Sequence, residues 1–370
     1  MKSIFVIALL LTFASAAFAL PRFSLLTGMQ CINCHANPTG GELRNSFGSS
    51  DFVDDHLRLV PAHGDSTDYI FNPQLNDNIR LGGDVRFQYL YDGDQKKTTF
   101  QSMEGSIYSL FELFTSTNLF VKYDFANSAY EAYGLYKFNS DNSYVKVGAF
   151  EPSYGIRLDD HTAYTRGGNL GFLEGLDQVG LFFVPDYWDA GLELGSRFFE
   201  NLFITADVTN GADMAPISFS SAKAIIGKAE YLTKGNFMIG ASGYYTGSTN
   251  MYGLQAGAGI GERLTVLGEW DWANSLPGLP DTLVQAYGNA KSNAAFVEAT
   301  YFITNGLTAT ARLDYFRSVA GGPVYERYII GADIYPFPHI DLTPQIRFNS
   351  NNVINEPSPI EALIQSHIYF

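Results

Sequence analysis

Beyond residue 78 the chain alternates apolar and polar residues with a period of two. From Ile79 to Tyr91, Ile79, Leu81, Val85, Phe87, Tyr89 and Tyr91 fall on one face, and Arg80, Asp84, Arg86 and Gln88 on the other. Leu264, Val266, Gly268, Trp270 and Trp272 oppose Arg263, Thr265, Glu269 and Asp271 in the same way. Leu307, Ala309, Ala311, Leu313 and Tyr315 oppose Thr308, Thr310, Arg312 and Asp314; Ile340, Leu342, Ile346 and Phe348 oppose Asp341, Thr343, Gln345 and Arg347. Successive strand side chains point to opposite faces, so each stretch reads as a strand with one apolar and one charged face. A soluble antiparallel sandwich with one wet face has this pattern too. The number of such strands favours a membrane barrel, lipid outside and water within.

Connection lengths set the parity. Short turns fall at 199–201, 234–236, 261–262, 304–306 and 336–338, and longer polar ones around 211–221, 273–291, 318–324 and 350–359. Short turns on one side and long loops on the other is the arrangement of outer-membrane barrels. Seventeen strand-like segments cannot bring both ends to the same side. Counting back from Phe370, the odd segment is 179–184, which belongs in a long loop from about 151 to 186. The expected fold is therefore an all-β antiparallel transmembrane barrel of about sixteen strands over 79–370, wide enough for an aqueous channel. Its last strand carries Ile364, Ile368 and Phe370 on one face and must pair with the first, because lipid tolerates no open sheet edge.

Composition agrees with that expectation. Aromatic residues make up 15% and charged residues only 16% of the chain, below the usual quarter, yet hydrophobic residues reach 46%. No apolar run after the first twenty residues is long enough for a spanning helix. Residues 1–19 read as a secretory signal: Lys2, an apolar run from Ile4 to Phe13, and Ala17-Phe18-Ala19 as cleavage site. The net charge of −15 argues against a nucleic-acid partner, which needs a basic footprint. Export and barrel together place the protein in the bacterial outer membrane.

Between signal and barrel, residues 20–78 contain Cys31-Ile32-Asn33-Cys34-His35, with the chain's only two cysteines. Cys-x-x-Cys-His is the attachment pattern for c-type haem: two thioether bonds from Cys31 and Cys34, and His35 as the proximal iron ligand. An oxidising compartment also permits a Cys31–Cys34 disulfide, but that gives His35 no role. A tetrahedral zinc site would need further ligands nearby. One covalent haem c is the expected cofactor. For the sixth iron position the candidates are His56 and His63, which would favour a low potential, or Met103, which would raise it. His161 reaching in from the lumen, or an open position, are further alternatives.

Gly28-Met29, the Cys31–His35 motif, Pro38 and Phe47-Gly48 resemble the N-terminal segment of the fused monohaem cytochrome–porins, an outer-membrane family that includes bacterial iron oxidases. The haem segment carries most of the resemblance; beyond it the likeness is architectural. Pro38-Thr39-Gly40-Gly41 departs from the iron oxidases, which bears on iron as substrate more than on electron transfer. The resemblance implies a haem conduit passing electrons between an extracellular donor or acceptor and a periplasmic c-type cytochrome, with a ferrous-iron-oxidase-like activity as one form. Two other classes fit the same residues: a diffusion porin for small solutes with a haem-bearing N-terminal plug, and a barrel partner of a separate multihaem cytochrome.

The long loop supplies one more cluster, Asp159-Asp160-His161, whose residue types suit a first-row divalent cation. The alternative is a polar loop held by ion pairs of Arg157 and Arg166. No phosphate-binding loop, nucleophile elbow or catalytic triad is evident, so no catalytic residue is assigned.

Overall fold

The computed structural model describes residues 22–27, 29–59, 71–138, 143–158, 160–168, 180–181, 183–199, 201–211, 217–219, 222–233, 236–276, 285–286, 291–352 and 359–370. The signal segment, His63 and Asp159 lie outside these residues.

Among the described residues, four short helices come first: α1 (Arg22–Thr27), α2 (Cys31–Cys34), α3 (Ser46–Ser49) and α4 (Asp51–His56). A three-residue strand β1 (Gln74–Asn76) folds back on the start of β2 (Ile79–Asp92). There follow β3 (Lys97–Phe114), β4 (Thr117–Asp124), β5 (Ala129–Lys137), β6 (Tyr144–Phe150), β7 (Asp189–Phe198), β8 (Leu202–Thr209) and β9 (Ala224–Leu232). The second half has β10 (Phe237–Tyr245), β11 (Asn250–Ile260), β12 (Leu264–Asn274), β13 (Lys291–Thr304), β14 (Leu307–Arg317), β15 (Val324–Phe337), β16 (Ile340–Asn351) and β17 (Ile360–Tyr369).

Among the described residues, β2 to β17 form one ring of sixteen antiparallel strands, each paired with its neighbour in the chain. The ring closes where β17 pairs with β2, Gln365 opposite Gln88 and Ile364 opposite Tyr89. Phe370 completes the seam by exchanging backbone hydrogen bonds with Gly83, N to O in both directions at 3.0 Å. A Cβ at Gly83 would lie 2.6 Å from the Phe370 ring, so the close approach depends on a bare backbone there. Of the 179–184 segment, the described residues Gly180, Leu181, Phe183 and Val184 lie in no strand and belong to the loop between β6 and β7, as the parity required.

The protein is inside-out, as the alternation predicts. On β12, Trp270 and Trp272 are exposed while Glu269 and Asp271 are buried; Ile330, Val297 and Leu254 extend the apolar outer belt. Buried charges line the lumen in pairs, among them Lys146 and Glu193 at 2.7 Å. Removing one partner of such a pair strands a desolvated charge, so the pairs specify the wall's geometry more than they stabilise it.

Tracing the strands puts the turns after β3, β5, β7, β9, β11, β13 and β15 at the end that also holds Phe370, the periplasmic end of a barrel of this type. At the opposite end, the β6–β7 loop turns inward instead of standing in solvent. Gly155 N donates to Ser242 Oγ of β10 at 2.9 Å, Ile156 N to Glu269 of β12 at 2.5 Å, and Tyr154 Oη to Asp271 at 2.9 Å. Gly155 has φ +61°, and a Cβ there would meet Glu269 Oε1 at 2.2 Å. Only glycine fits both the left-handed backbone and the contact.

Candidate functional site

The N-terminal helices lie within the periplasmic half of the lumen. Leu25 of α1 is fully buried among Leu232, Met238 and Leu267, and Arg22 reaches Asp333 of β15 at 2.5 Å. At the other end of the segment, Gly306 N donates to the His56 carbonyl at 3.1 Å and Leu59 N to the Tyr335 carbonyl at 2.8 Å. Both ends of residues 22–59 are therefore fastened to the wall and its turns.

Asn45 holds the motif between these anchors. Its Nδ2 donates to the carbonyls of Asn33 at 2.8 Å and Ile32 at 3.3 Å, and its backbone N donates to the Cys34 carbonyl at 2.9 Å. Its Oδ1 accepts from Gly48 N at 2.9 Å, capping α3. At the other end of α2, Gln30 N donates to Asn33 Oδ1 at 2.9 Å. Sequence reading passed over Asn45; an Asn directly before the Ser46-Phe47-Gly48 turn was its only signal.

Cys31 and Cys34 sit on one helical turn. Burial pushes the Cys31 thiol up to about 11 and raises that of Cys34 as well. Both thiols and His35 line a single cavity of about 340 Å³ between the N-terminal segment and the barrel wall. That volume is within the range of small-molecule and cofactor pockets. Met29, Phe23, Phe52 and Leu57 give the cavity an apolar side; Arg312, Arg347, His367 and Tyr369 give it a polar one. The residues fit a covalently held haem: two thiols and an imidazole converge on one chamber that is apolar on one side and polar on the other.

The candidates for the sixth iron position separate. His56 packs its ring 4.9 Å from that of Phe52, outside the cavity lining. The Met103 thioether accepts from Gln365 Nε2 at 3.0 Å and is also outside the lining. His161 lies beside Asp186 at 3.7 Å, where burial lowers its pKa despite that carboxylate. The histidine that does join His35 at the cavity is His367 of β17, with Nε2 2.8 Å from Asp84 Oδ1. Parity on the terminal strand is the signal that finds it, since Ile364 and Ile368 facing lipid turn His367 to the lumen.

Of the Asp159–His161 cluster, Asp159 lies outside the described residues, and Asp160 and His161 turn to different partners. Asp160 accepts from Thr162 Oγ1 at 2.6 Å and from Arg312 Nη1 at 3.1 Å, while His161 faces Asp186. Burial alone would raise the Asp160 carboxyl, but Arg312 and Arg347 hold it well below the usual carboxylate range. Among the described residues no group of three or more His, Cys, Asp and Glu side chains is placed to hold a metal ion. The ion-pair alternative for the loop is the one seen: Arg166 with Glu269 at 3.0 Å, and Arg157 with Glu151.

No family model matches the sequence, and no curated protein matches it by sequence. Among solved structures the chain is similar to the outer-membrane protein OmpT of Vibrio cholerae, with 11% identity and a TM-score of 0.56 over 81% of this chain and 100% of that one. It is similar to the outer-membrane channel DcaP of Acinetobacter baumannii, with 12% identity and a TM-score of 0.55 over 79% and 97%. A mutant porin of Rhodopseudomonas blastica gives 15% identity and 0.54 over 79% and 100%. The fold is thus the closed sixteen-stranded barrel of outer-membrane porins. With its exposed apolar belt, it places the chain in the bacterial outer membrane.

Proposed function

We propose that the protein is an outer-membrane electron carrier that uses one covalently bound haem c inside a porin-type barrel. The observation that carries this reading is the convergence of Cys31, Cys34 and His35 on one cavity inside the lumen. Cys31 and Cys34 would hold the thioethers and His35 the iron. The bound group would supply one-electron chemistry at a potential set by axial ligand and burial. The protein's own part is placement. Asn45 fixes the turn that presents the three residues, the cluster around Phe52 and Val53 keeps water from one side, and the inserted loop narrows access from the outer side.

The partners consistent with this reading are an extracellular donor or acceptor and a periplasmic c-type cytochrome, with ferrous iron oxidation as one form. A diffusion porin with a haem-bearing plug uses the same barrel and remains the competing class. Purified protein should carry covalent haem by stain and absorption spectrum, and its absence would sink the proposal. In liposomes, an external donor should reduce a trapped dye, and a His35 substitution should abolish that activity. Sugar-driven swelling without dye reduction would instead identify a diffusion porin.

A further inference from the structure

We propose that Arg312 and Arg347 form an oxyanion site in the cavity wall, built for a carboxylate or phosphate. Arg312 on β14 and Arg347 on β16 both pair with Ile329 on the intervening β15, so the three form one row. All three line the cavity that holds the Cys31–His35 motif. Two strand spacings put the arginine backbones about 10 Å apart, and the charge of both acts on Asp160, which accepts from Arg312.

On each guanidinium two of the three nitrogens donate to neighbouring side chains. Arg312 gives Nε to Asp314 Oδ1 at 2.7 Å and Nη1 to Asp160 Oδ2 at 3.1 Å; Arg347 gives Nε and Nη2 to Gln345 Oε1 at 3.0 and 2.9 Å. Arg312 Nη2 and Arg347 Nη1 are buried without an acceptor. Arg347 is only 2% exposed, and among the described residues no carboxylate lies within ion-pair distance of it. Arg327 adds to the positive field; Asp160, Glu361 and Asp314 act on Arg347 only at longer range.

The cavity lining as a whole carries six arginines against four carboxylates, a surplus of two cations in a chain of net charge −15. Buried donors that lack an acceptor are costly, and a guanidinium fork matches the geometry of a planar oxyanion.

The occupant has two possible sources: a carboxylate of the covalent cofactor, which rests on the haem reading above, or a free oxyanion in the lumen, which does not. Inorganic phosphate binding to detergent-solubilised full-length protein, followed by ³¹P NMR and calorimetry, separates them. Phosphate binding to the wild type, weakened tenfold or more by Arg347→Gln and less by Arg347→Lys, supports a free-oxyanion site. Binding only after Cys31→Ser with Cys34→Ser, again lost with Arg347→Gln, supports the cofactor's carboxylates as the natural occupant. If that double variant does not fold, the haem-loaded protein is the second readout. There Arg347→Gln should move the pH at which the haem spectrum changes, and Arg347→Lys should not. No phosphate binding together with an unmoved haem spectrum overturns the proposal. If the protein proves to carry no haem, the wild-type phosphate titration decides alone, and its failure has the same consequence.

Discussion

Arg157 of the inserted loop donates its Nη1 to the carbonyl of Gly40 at 2.9 Å, joining two segments 117 positions apart in the chain. The same guanidinium pairs with Glu151 at the loop's root and lies 3.9 Å from Glu42. The loop that enters from the outer end and the segment that enters from the periplasmic end thus lock each other in the lumen.

Arg157→Ala should loosen that lock without opening the barrel. Losing a charge-assisted hydrogen bond costs about 1–3 kcal/mol. Amide exchange of residues 36–45 should rise accordingly while strand amides stay protected. Unchanged exchange in the N-terminal segment would show that Arg157 does not hold it.

Glu42 makes the docking of this segment sensitive to pH. Burial, then the neighbouring Glu131, push its carboxyl up to about 8 against the pull of Lys122. When the segment is released, the group returns to the ordinary range near 4.3. Between these values the docked state keeps a proton that the released state gives up. The contribution is therefore full below about pH 4, declines as pH rises, and is gone above about pH 8. Amide exchange of the segment across pH 5 to 9 should show this decline, and Glu42→Gln should flatten it.

Glu269 is the loop's anchor on the far wall. Its side chain is fully buried against Arg166 and accepts from Ile156 N. Glu269→Ala would leave Arg166 buried and uncompensated, at a cost of about 3–5 kcal/mol. The expected result is a lower melting temperature and a wider channel in planar bilayers. Gly155→Ala should act in the same direction, because its methyl group would displace the Glu269 carboxylate. If neither variant changes conductance, the loop does not limit the pore.

Asn45→Ala removes the side-chain hydrogen bonds that tie the Cys31–Cys34 turn to α3 and leaves the backbone one to the Cys34 carbonyl. Between partly exposed groups each such bond contributes about 0.5–1.5 kcal/mol net. Heat-modifiable migration of the barrel on a gel should be unchanged. Covalent haem per barrel should fall, and Asn45→Asp, which keeps the α3 cap, should recover part of it.

The barrel was legible because lipid and water impose a strict period of two on every spanning strand. Trp270 and Trp272 against Glu269 and Asp271 announce their faces without any partner in view. Parity then settled what hydropathy left open, removing 179–184 from the strand count; the same parity turns His367 to the lumen, a residue the sequence reading did not single out. The Cys31–His35 spacing was equally plain along the chain, and the structure sets Cys31 to Cys34 on one local helical turn.

Contacts between segments distant in the chain were decided only by the tertiary structure. Asp159–His161 reads as a cluster along the chain, yet Asp160 turns to Arg312 and His161 to Asp186, because the inserted loop meets charged walls on different sides. Nothing local told His56, which packs on Phe52, from His367, which lies 332 positions beyond His35 in the same cavity lining. Period and spacing are local, set by backbone geometry and the surrounding solvent. Which charges meet inside the lumen depends on strand register and on how two segments pack there, and both exist only once the ring has closed.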